Sequence, residues 1–437
     1  MLLLVFSLDP ALVRALCLLL PIIFCLALAV LNQVGKKLVV GALLASLWNL
    51  ASLVALQSLV NHFQWWRFEV KGGVLFGIPV DLLIGWSLLW GAIPLFISIY
   101  LRLPVWLIIM LVFDLFFMPL CAPVLQLGKN WIIGEFILLI ACFVPAQLLG
   151  RWTFEGRILF ARAFLQLVCF SILFLFVLPL IIFEQVGGGW EIISTRPNWL
   201  NSLNIQLLAI PALLGVSALQ EFALRGYGTP LPYDPPKRLV TSGFYRYIAN
   251  PMQLSMVLVL CGYGIMLNHF WLFFSGLVAF AYGIGLAGWD EKQDLSLRFG
   301  QDWINYRKGV KNWLPKWRPW QPSIGNETLQ LAKLYFDEDC NQCSQLAEWF
   351  KVRSPIGLNL IPAQDHPKRD LKRLTYDPCD GTDEEEGICA FARGLEHINF
   401  AWAFIGAFMR LPLIHQFIQL ISDVTGGEAR QVCRRKP

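Results

Sequence analysis

Charged residues are scarce in this chain. Aspartate, glutamate, lysine and arginine make up 15% of the 437 residues, whereas 57% are hydrophobic. Soluble domains carry about 25% charged residues, so the composition excludes an ordinary soluble globular protein and indicates a membrane protein. The net charge of +5 does not indicate nucleic-acid binding, because the basic residues flank apolar runs and form no basic stripe.

Two further motifs are missing. No soluble-type G-x-G-x-x-G loop stands between a strand and a helix, which argues against a Rossmann-type cofactor site. The N-terminal run MLLLVFSLDPALVRALCLLLPIIFCLALAV lacks a basic n-region and is as long as a membrane span. We therefore expect a membrane helix at this end rather than a cleaved signal peptide.

The long apolar runs predict a polytopic helical membrane protein with about nine transmembrane helices. Only Asn268 separates the last two runs, so they form a tight hairpin and place the segments before and after it at one membrane face. The runs lie near residues 10–32, 38–60, 79–98, 103–120, 131–149, 158–183, 202–221, 251–267 and 269–289.

Acidic residues concentrate in the tail. From Gln321 onward the chain has 16 of its 30 acidic residues and 13 of its 35 basic ones, so the tail is net acidic and the rest is net basic. Basic residues in the short loops favour a cytosolic position for the polar loop before the hairpin and for the tail. We therefore predict three parts: a transmembrane region of unknown role (1–200), a membrane domain that contains this loop and the hairpin (201–320), and a small soluble α/β domain (328–437).

The hairpin is flanked by two polar segments, GTPLPYDPPKRLVTSGFYRYIANPM before it and DEKQDLSLRFGQDWINYRKGVKNWLP after it. Together they resemble the isoprenylcysteine carboxyl methyltransferase and phospholipid methyltransferase superfamily over about residues 226–315. The resemblance implies an integral membrane enzyme that uses S-adenosylmethionine. Its first block is matched by Gly243, Tyr245, Arg246, Asn250 and Pro251. Alignment on Leu295, Phe299, Gly300 and Tyr306 places Glu291 at the first acidic position of the second block.

This sequence departs from the family pattern at three positions. Ala249 replaces an arginine, Lys292 replaces the second acidic residue, and Trp303 replaces a tyrosine. The methyl acceptor is the property that these changes affect most. We expect a lipid-like or isoprenoid acceptor, since the site opens at the bilayer edge.

The residue types suit methyl transfer. Aromatic faces and a carboxylate stabilise a sulfonium cation, and arginine binds a carboxylate. The expected cofactor-binding residues are therefore Tyr245, Arg246, Tyr247, Asn250, Pro251, Glu291 and Tyr306. Of these, Glu291, Asn250 and Arg246 are the expected catalytic residues, with Glu291 as a candidate base. Tyrosine and arginine beside a membrane span are also common at the headgroup interface without any catalytic role.

The tail contains the only C-x-x-C, in LYFDEDCNQC. It resembles the DCC family of thioredoxin-like thiol–disulfide oxidoreductases over about residues 330–430. The resemblance implies a catalytic pair, with Cys340 attacking and Cys343 resolving, and a thiol or disulfide partner protein. Two alternatives stay open: a zinc site completed by Cys379, Cys389 and His397, and a degenerate domain kept for packing.

Two carboxylates lie in or beside apolar runs. Asp81 is at the boundary of a run and is expected to be solvated, whereas Asp114 is deeper and has either a packing or a functional role. For the whole chain, the alternatives to a methyltransferase are a membrane reductase that uses NADPH on lipids or sterols, and a transporter or scaffold with a redox-sensing tail. No metal and no nucleic acid are expected as partners.

Overall fold

The computed structural model describes residues 9–231, 233–321 and 331–435, with the backbone alone at 286–287 and 290–292. Over these residues the chain is mostly helical and divides into two compact units, Met1–Gly189 and Trp190–Pro437. The boundary lies in the glycine run 187–189, where positive φ angles at Gly187 and Gly188 interrupt the helical path.

The first unit is a bundle of apolar helices. Short strands pair outside them: β1 (Trp66–Phe68) with β4 (Leu125–Leu127), and β2 (Val74–Leu75) with β3 (Ile78–Pro79). The helices are α1 (Pro10–Leu31), α2 (Lys36–Phe63), α3 (Val80–Ile97), α4 (Leu103–Cys121), α5 (Trp131–Glu155) and α6 (Leu159–Val186).

Within the second unit, the short helix α7 (Glu191–Thr195) precedes the long helix α8 (Asn198–Gly226). A loop then leads to the hairpin of α9 (Pro251–Met266) and α10 (Phe270–Gly285). A π-helical turn, Gly283–Ala287, joins α10 to α11 (Gly288–Gly309). The string GIGLAG at 283–288 has the letters of a nucleotide-binding glycine loop, but it is helical, so it exposes no such loop.

Seven helices of the described chain are long and apolar enough to cross a membrane, namely α1 to α6 and α8. The two helices of the hairpin are shorter, at 16 residues for Pro251–Met266 and 13 for the α-helical part Phe270–Tyr282. The expectation of about nine equivalent spans is therefore replaced by seven, or eight if a bent pair near the end of the chain counts as one. This architecture fits a polytopic helical membrane protein.

The end of the second unit contains a four-stranded sheet of β5 (Ala332–Phe336), β6 (Leu358–Pro362), β7 (Thr375–Asp377) and β8 (Glu385–Glu386). The strand order is β6-β5-β7-β8, with β5 and β6 parallel and β7 antiparallel to both β5 and β8. The associated helices are α12 (Asn341–Val352), α13 (Ile388–Leu395), α14 (Phe400–Met409) and α15 (Ile414–Ser422). The buried core includes Leu334, Phe350, Tyr376 and Leu395.

The residues from Trp190 onward form a single compact unit, in which the hairpin region and helix α14 of the tail share a core. Phe244 and Tyr247 from the loop pack with Leu214 of α8 and with Ala403 and Ala407 of α14. The division at 200, 320 and 328 remains a prediction from composition.

Candidate functional site

The hairpin returns the chain to the polar loop. At the end of α10, a side chain at Gly283 would come within 3.3 Å of the Gln253 amide oxygen, in the first turn of α9. Phe280 packs edge-on against Trp313 with ring centroids 4.8 Å apart. The segments before α9 and after α10 therefore lie at one end of the hairpin, as the length of the two apolar runs predicts.

The loop before α9 is held by the segment that follows α11. The backbone N–H groups of Ala249 and Asn250 donate to the carbonyl oxygens of Lys311 (2.9 Å) and Asn312 (3.3 Å). Gly243 begins a 3₁₀ turn at φ +58°, a conformation that favours glycine. The turn and the two backbone bonds fix the position of Asn250 beside Asn312.

A cavity of about 430 Å³ lies along α11 next to this point. Helix α11 kinks at Gly300, where φ is +51° and ψ is −124°, and both halves of the helix contribute to the cavity wall. Its lining residues are Gly288, Ser296, Trp303, Ile304, Arg307, Lys308 and Asn312. Asn250 does not line the cavity itself. Its backbone N–H is hydrogen-bonded to Asn312, which does. Glu291 lies on the same helix one turn beyond Gly288, and its side chain falls outside the described part of the structure.

Four of the expected cofactor residues are buried in protein contacts. The Tyr306 hydroxyl donates to the Tyr245 carbonyl oxygen at 2.8 Å. The Tyr247 hydroxyl donates to the Glu396 carbonyl oxygen at 2.8 Å, and burial raises the pKa of Tyr247. Tyr245 packs against α8, and Pro251 occupies the first turn of α9. These side chains pack inside the protein and support the loop, so their roles at a cofactor remain predictions.

Arg246 faces a different space from the α11 cavity. It lines a cavity of about 160 Å³ together with Arg225, Ser242, Tyr376 and Arg393. One of its terminal nitrogens lies 3.5 Å from Nδ1 of His397. The expectation that Arg246 and Asn250 act at one cofactor is therefore not matched by the position of the arginine side chain.

A buried ion network lies behind this loop, and the sequence analysis missed it. Arg393 contacts Glu221 at 2.9 Å, Glu385 at 2.7 Å and Glu396 at 3.2 Å. Arg410 contacts Glu221 at 3.2 Å and Glu396 at 2.9 Å, and Arg225 pairs with Glu385. Three arginines thus balance three glutamates. The sequence signals are that Glu221 follows the apolar run of α8 and that Arg410 interrupts an apolar run.

His397 lies between this network and the loop. Its Nδ1 lies 2.8 Å from the Ile356 carbonyl oxygen, and its Nε2 lies 3.0 Å from the Tyr376 hydroxyl. Burial, and then the positive charge of Arg246, push the pKa of His397 well below its ordinary value. In its neutral form the ring donates to Ile356 and accepts from Tyr376. Both nitrogens are then occupied, which leaves none for the zinc site considered with Cys379 and Cys389.

The two cysteines of the C-x-x-C begin helix α12. The backbone N–H of Cys343 donates to the Cys340 sulfur at 3.4 Å, and Cys340 is the N-cap residue. A hydrogen bond from the Cys343 thiol lowers the pKa of Cys340, whereas burial raises the pKa of Cys343 to about 12. This asymmetry is the one required for an attacking thiolate and a resolving thiol.

The two carboxylates that the sequence places in or beside apolar runs, Asp81 and Asp114, have partners. Asp81 pairs with Arg14 at 2.5 Å, so the expectation that it is merely solvated is wrong. Asp114 is buried and accepts from the Trp90 indole N–H at 3.0 Å. The contact favours a packing role for Asp114, since a buried carboxylate needs a donor.

Comparison with known protein families gives a match that coincides with the hairpin region. Residues 204–301 match the family model described as phospholipid methyltransferase. No curated protein and no solved structure matches the chain. The matched segment runs from α8 to the kink of α11 and includes the loop and hairpin described above. Residues 204–301 are therefore similar to phospholipid methyltransferases, and together with the apolar helices this fits an integral membrane methyltransferase.

Proposed function

We propose that the chain is an integral membrane S-adenosylmethionine-dependent methyltransferase that acts on a lipid-like or isoprenoid acceptor. The observation that carries the proposal is the 430 Å³ cavity along α11. It adjoins the loop through Asn312, and residues 288–301 of its helix lie within the segment that matches the methyltransferase family.

The cavity suits the proposed cofactor in size and in chemistry. Ligand sites commonly have volumes of about 300–1,000 Å³. Trp303 offers an aromatic surface, Ser296 and Asn312 offer hydrogen-bonding groups, and Arg307 and Lys308 offer cations for a carboxylate. When bound, S-adenosylmethionine supplies an electrophilic methyl group to a nucleophile on the acceptor.

The contribution of the protein is mainly positioning. Methyl transfer is an in-line displacement, so holding donor and acceptor in line accounts for much of the catalysis. The hydrogen bonds from the loop to Lys311 and Asn312 fix one wall of the site. Glu291, on the same helix as the cavity, is proposed as the base that removes a proton from an amine or thiol acceptor. A carboxylate acceptor needs no base.

Ligand binding to the purified full chain tests this proposal. We expect S-adenosylmethionine, but not NADPH, to raise the melting temperature, because a ligand that binds only the folded state stabilises it. Asn312→Ala should weaken this stabilisation, whereas Asn305→Ala should not, since Asn305 does not line the cavity. Stabilisation by NADPH alone would instead favour the reductase. Cells that express the chain and a labelled methyl donor would identify the acceptor among lipids that gain the label.

We infer a second activity, thiol–disulfide exchange, for the tail. The support is the sheet order β6-β5-β7-β8, which is that of a thioredoxin-like fold, with Cys340 at the start of the helix after the first strand. The Cys340 thiolate attacks a partner disulfide, forms a mixed disulfide and releases one partner thiolate. Cys343 then loses its proton and attacks Cys340, which releases the second partner thiolate and leaves a Cys340–Cys343 disulfide.

Alkylation of the native protein tests this second activity. Cys340 should react with iodoacetamide after reduction and should be protected after oxidation. Cys433, which is exposed, serves as the reference thiol. If Cys340 stays unreactive while Cys433 reacts, the tail has no exchange activity.

A further inference from the structure

The last two helices of the chain carry an exposed apolar face. Large hydrophobic side chains of α14, of α15 and of the residues that flank α15 are between 45% and 80% exposed. They are Ile405, Phe408, Leu413, Phe417, Leu420, Ile421 and Val424. We refer to this set as the α14–α15 face. Exposed apolar patches of this kind are typical of sites that contact a partner or a membrane.

The packing of α14 locates this face relative to the membrane helices. On its other side, α14 contributes Ala403 and Ala407 to a cluster with Leu214 of α8 and Leu254 of α9. Leu254 lies three residues inside α9, a depth of about 5 Å at 1.5 Å per residue. Leu214 lies within the apolar stretch of α8, a candidate membrane span. Helix α14 therefore packs against the second half of α8, a candidate span, and against the first turn of the shorter apolar helix α9.

The pair is too short and too bent to cross the membrane. Segments Phe400–Met409 and Ile414–Gly427 together are apolar enough for a span, but their axes differ by 87°. The ten residues of α14 extend about 15 Å, half of a hydrocarbon core of about 30 Å. Arg410, at the bend, is bound to Glu221 and Glu396. The bend thus places a buried ion pair where a span would need an apolar residue.

Helix α15 has the two faces of an interfacial helix. On its polar side, the Gln419 amide oxygen accepts from the backbone N–H of Ile388, and the Gln419 amide nitrogen donates to Asp423, which pairs with Arg373. On its other side, Phe417, Leu420 and Ile421 are exposed. Helices of this type lie in the plane of the interface with the apolar side about 5–10 Å deep.

We propose that the α14–α15 face is inserted into the phospholipid interface, at the end of the hairpin where the polar loop lies. The tail is then a membrane-associated domain rather than a freely soluble one. The proposal rests on the packing of α14 against α8 and α9, and it does not depend on either proposed activity.

Photo-crosslinking of the full chain in phosphatidylcholine nanodiscs tests this placement. p-Benzoylphenylalanine replaces Phe417 in one variant and Val352 in another. Both side chains are apolar and exposed, at 62% and 74%, but Val352 ends α12 and is outside the face. We expect mass spectrometry to show a covalent lipid adduct at position 417 and none above background at position 352.

Three results would overturn the proposal. They are no lipid adduct at either position 417 or position 420, equal adducts at positions 417 and 352, and a crosslink from position 417 to a second copy of the chain. A second probe at Leu420 guards against a local failure of crosslinking at position 417.

Discussion

Substitution Glu221→Gln tests whether the ion network holds the sheet-containing tail to helix α8. Glu221 is 1% exposed and accepts from Arg393 at 2.9 Å and from Arg410 at 3.2 Å. It also accepts from the hydroxyl of Ser242. Glutamine has nearly the same shape, so it removes the charge without opening a cavity. The network then contains three arginines and two glutamates, and one buried positive charge is left without compensation.

The expected cost follows from that imbalance. Removing one partner of a buried ion pair destabilises a protein by about 3–5 kcal/mol, because the other charge stays buried. The matched control is Glu428→Gln, at a pair in which Glu428 and Arg430 are 66% and 69% exposed and 3.6 Å apart. Exposed pairs contribute about 0–1 kcal/mol, since water screens both charges. The two substitutions should therefore differ by several kcal/mol.

Thermal unfolding followed by tryptophan fluorescence in detergent measures this difference. For a domain of this size, each kcal/mol lowers Tm by about 2–4 °C. A further variant, Glu221→Gln with Arg410→Met, restores the balance and should recover part of the loss. If Glu221→Gln lowers Tm no more than Glu428→Gln, the network does not stabilise the unit, and our account of its energetics is wrong.

Three further predictions concern the loop, the buried histidine and the thiols. Gly243→Ala should lower the free energy of unfolding by about 1–2 kcal/mol in the same assay, because φ at this position is +58°. Gly285→Ala is the control: a side chain there meets open space, so the free energy of unfolding should change by less than about 0.5 kcal/mol. The pKa of His397 is depressed in the folded protein, so below pH 6.5 the unfolded state binds more protons than the folded state. The free energy of unfolding should therefore fall as pH decreases, by at most about 1.4 kcal/mol per pH unit. His397→Gln should remove this slope from a plot of Tm against pH. The pKa of Cys340, measured by its iodoacetamide rate against pH, should rise in Cys343→Ala, which removes the donating thiol, and an unchanged profile would refute that bond.

The sequence predicts the membrane architecture well because long apolar runs have few alternatives. Six of the nine expected windows coincide with the helices of the first unit. The turn at Asn268, where φ is +49°, produces the hairpin that its single-residue gap predicts. Such features depend on neighbours in sequence, so local composition is enough to find them.

The ion network could not be predicted in this way. Glu221 contacts Arg393 and Arg410 across 172 and 189 positions of the chain, respectively. A glutamate at the end of an apolar helix normally faces water, and nothing local shows that two arginines cover it. The exposed α14–α15 face escapes prediction for a different reason. The sequence places its apolar run in a soluble domain. Only the bend between Met409 and Ile414 shows that the run does not pack on itself.

Arg246 has a side chain of the type that the sequence analysis assigns to the cofactor site, but it lies outside the α11 cavity. The sequence predicts that its cation binds a cofactor, and this role stays a prediction. In the described chain no carboxylate lies within ion-pair distance of Arg246, whose terminal nitrogen lies 3.5 Å from His397. The neighbouring network is already neutral, so the charge of Arg246 is a surplus. His397 cannot neutralise it, because burial and the charge of Arg246 itself hold the ring neutral. The surplus faces the 160 Å³ cavity rather than the α11 cavity.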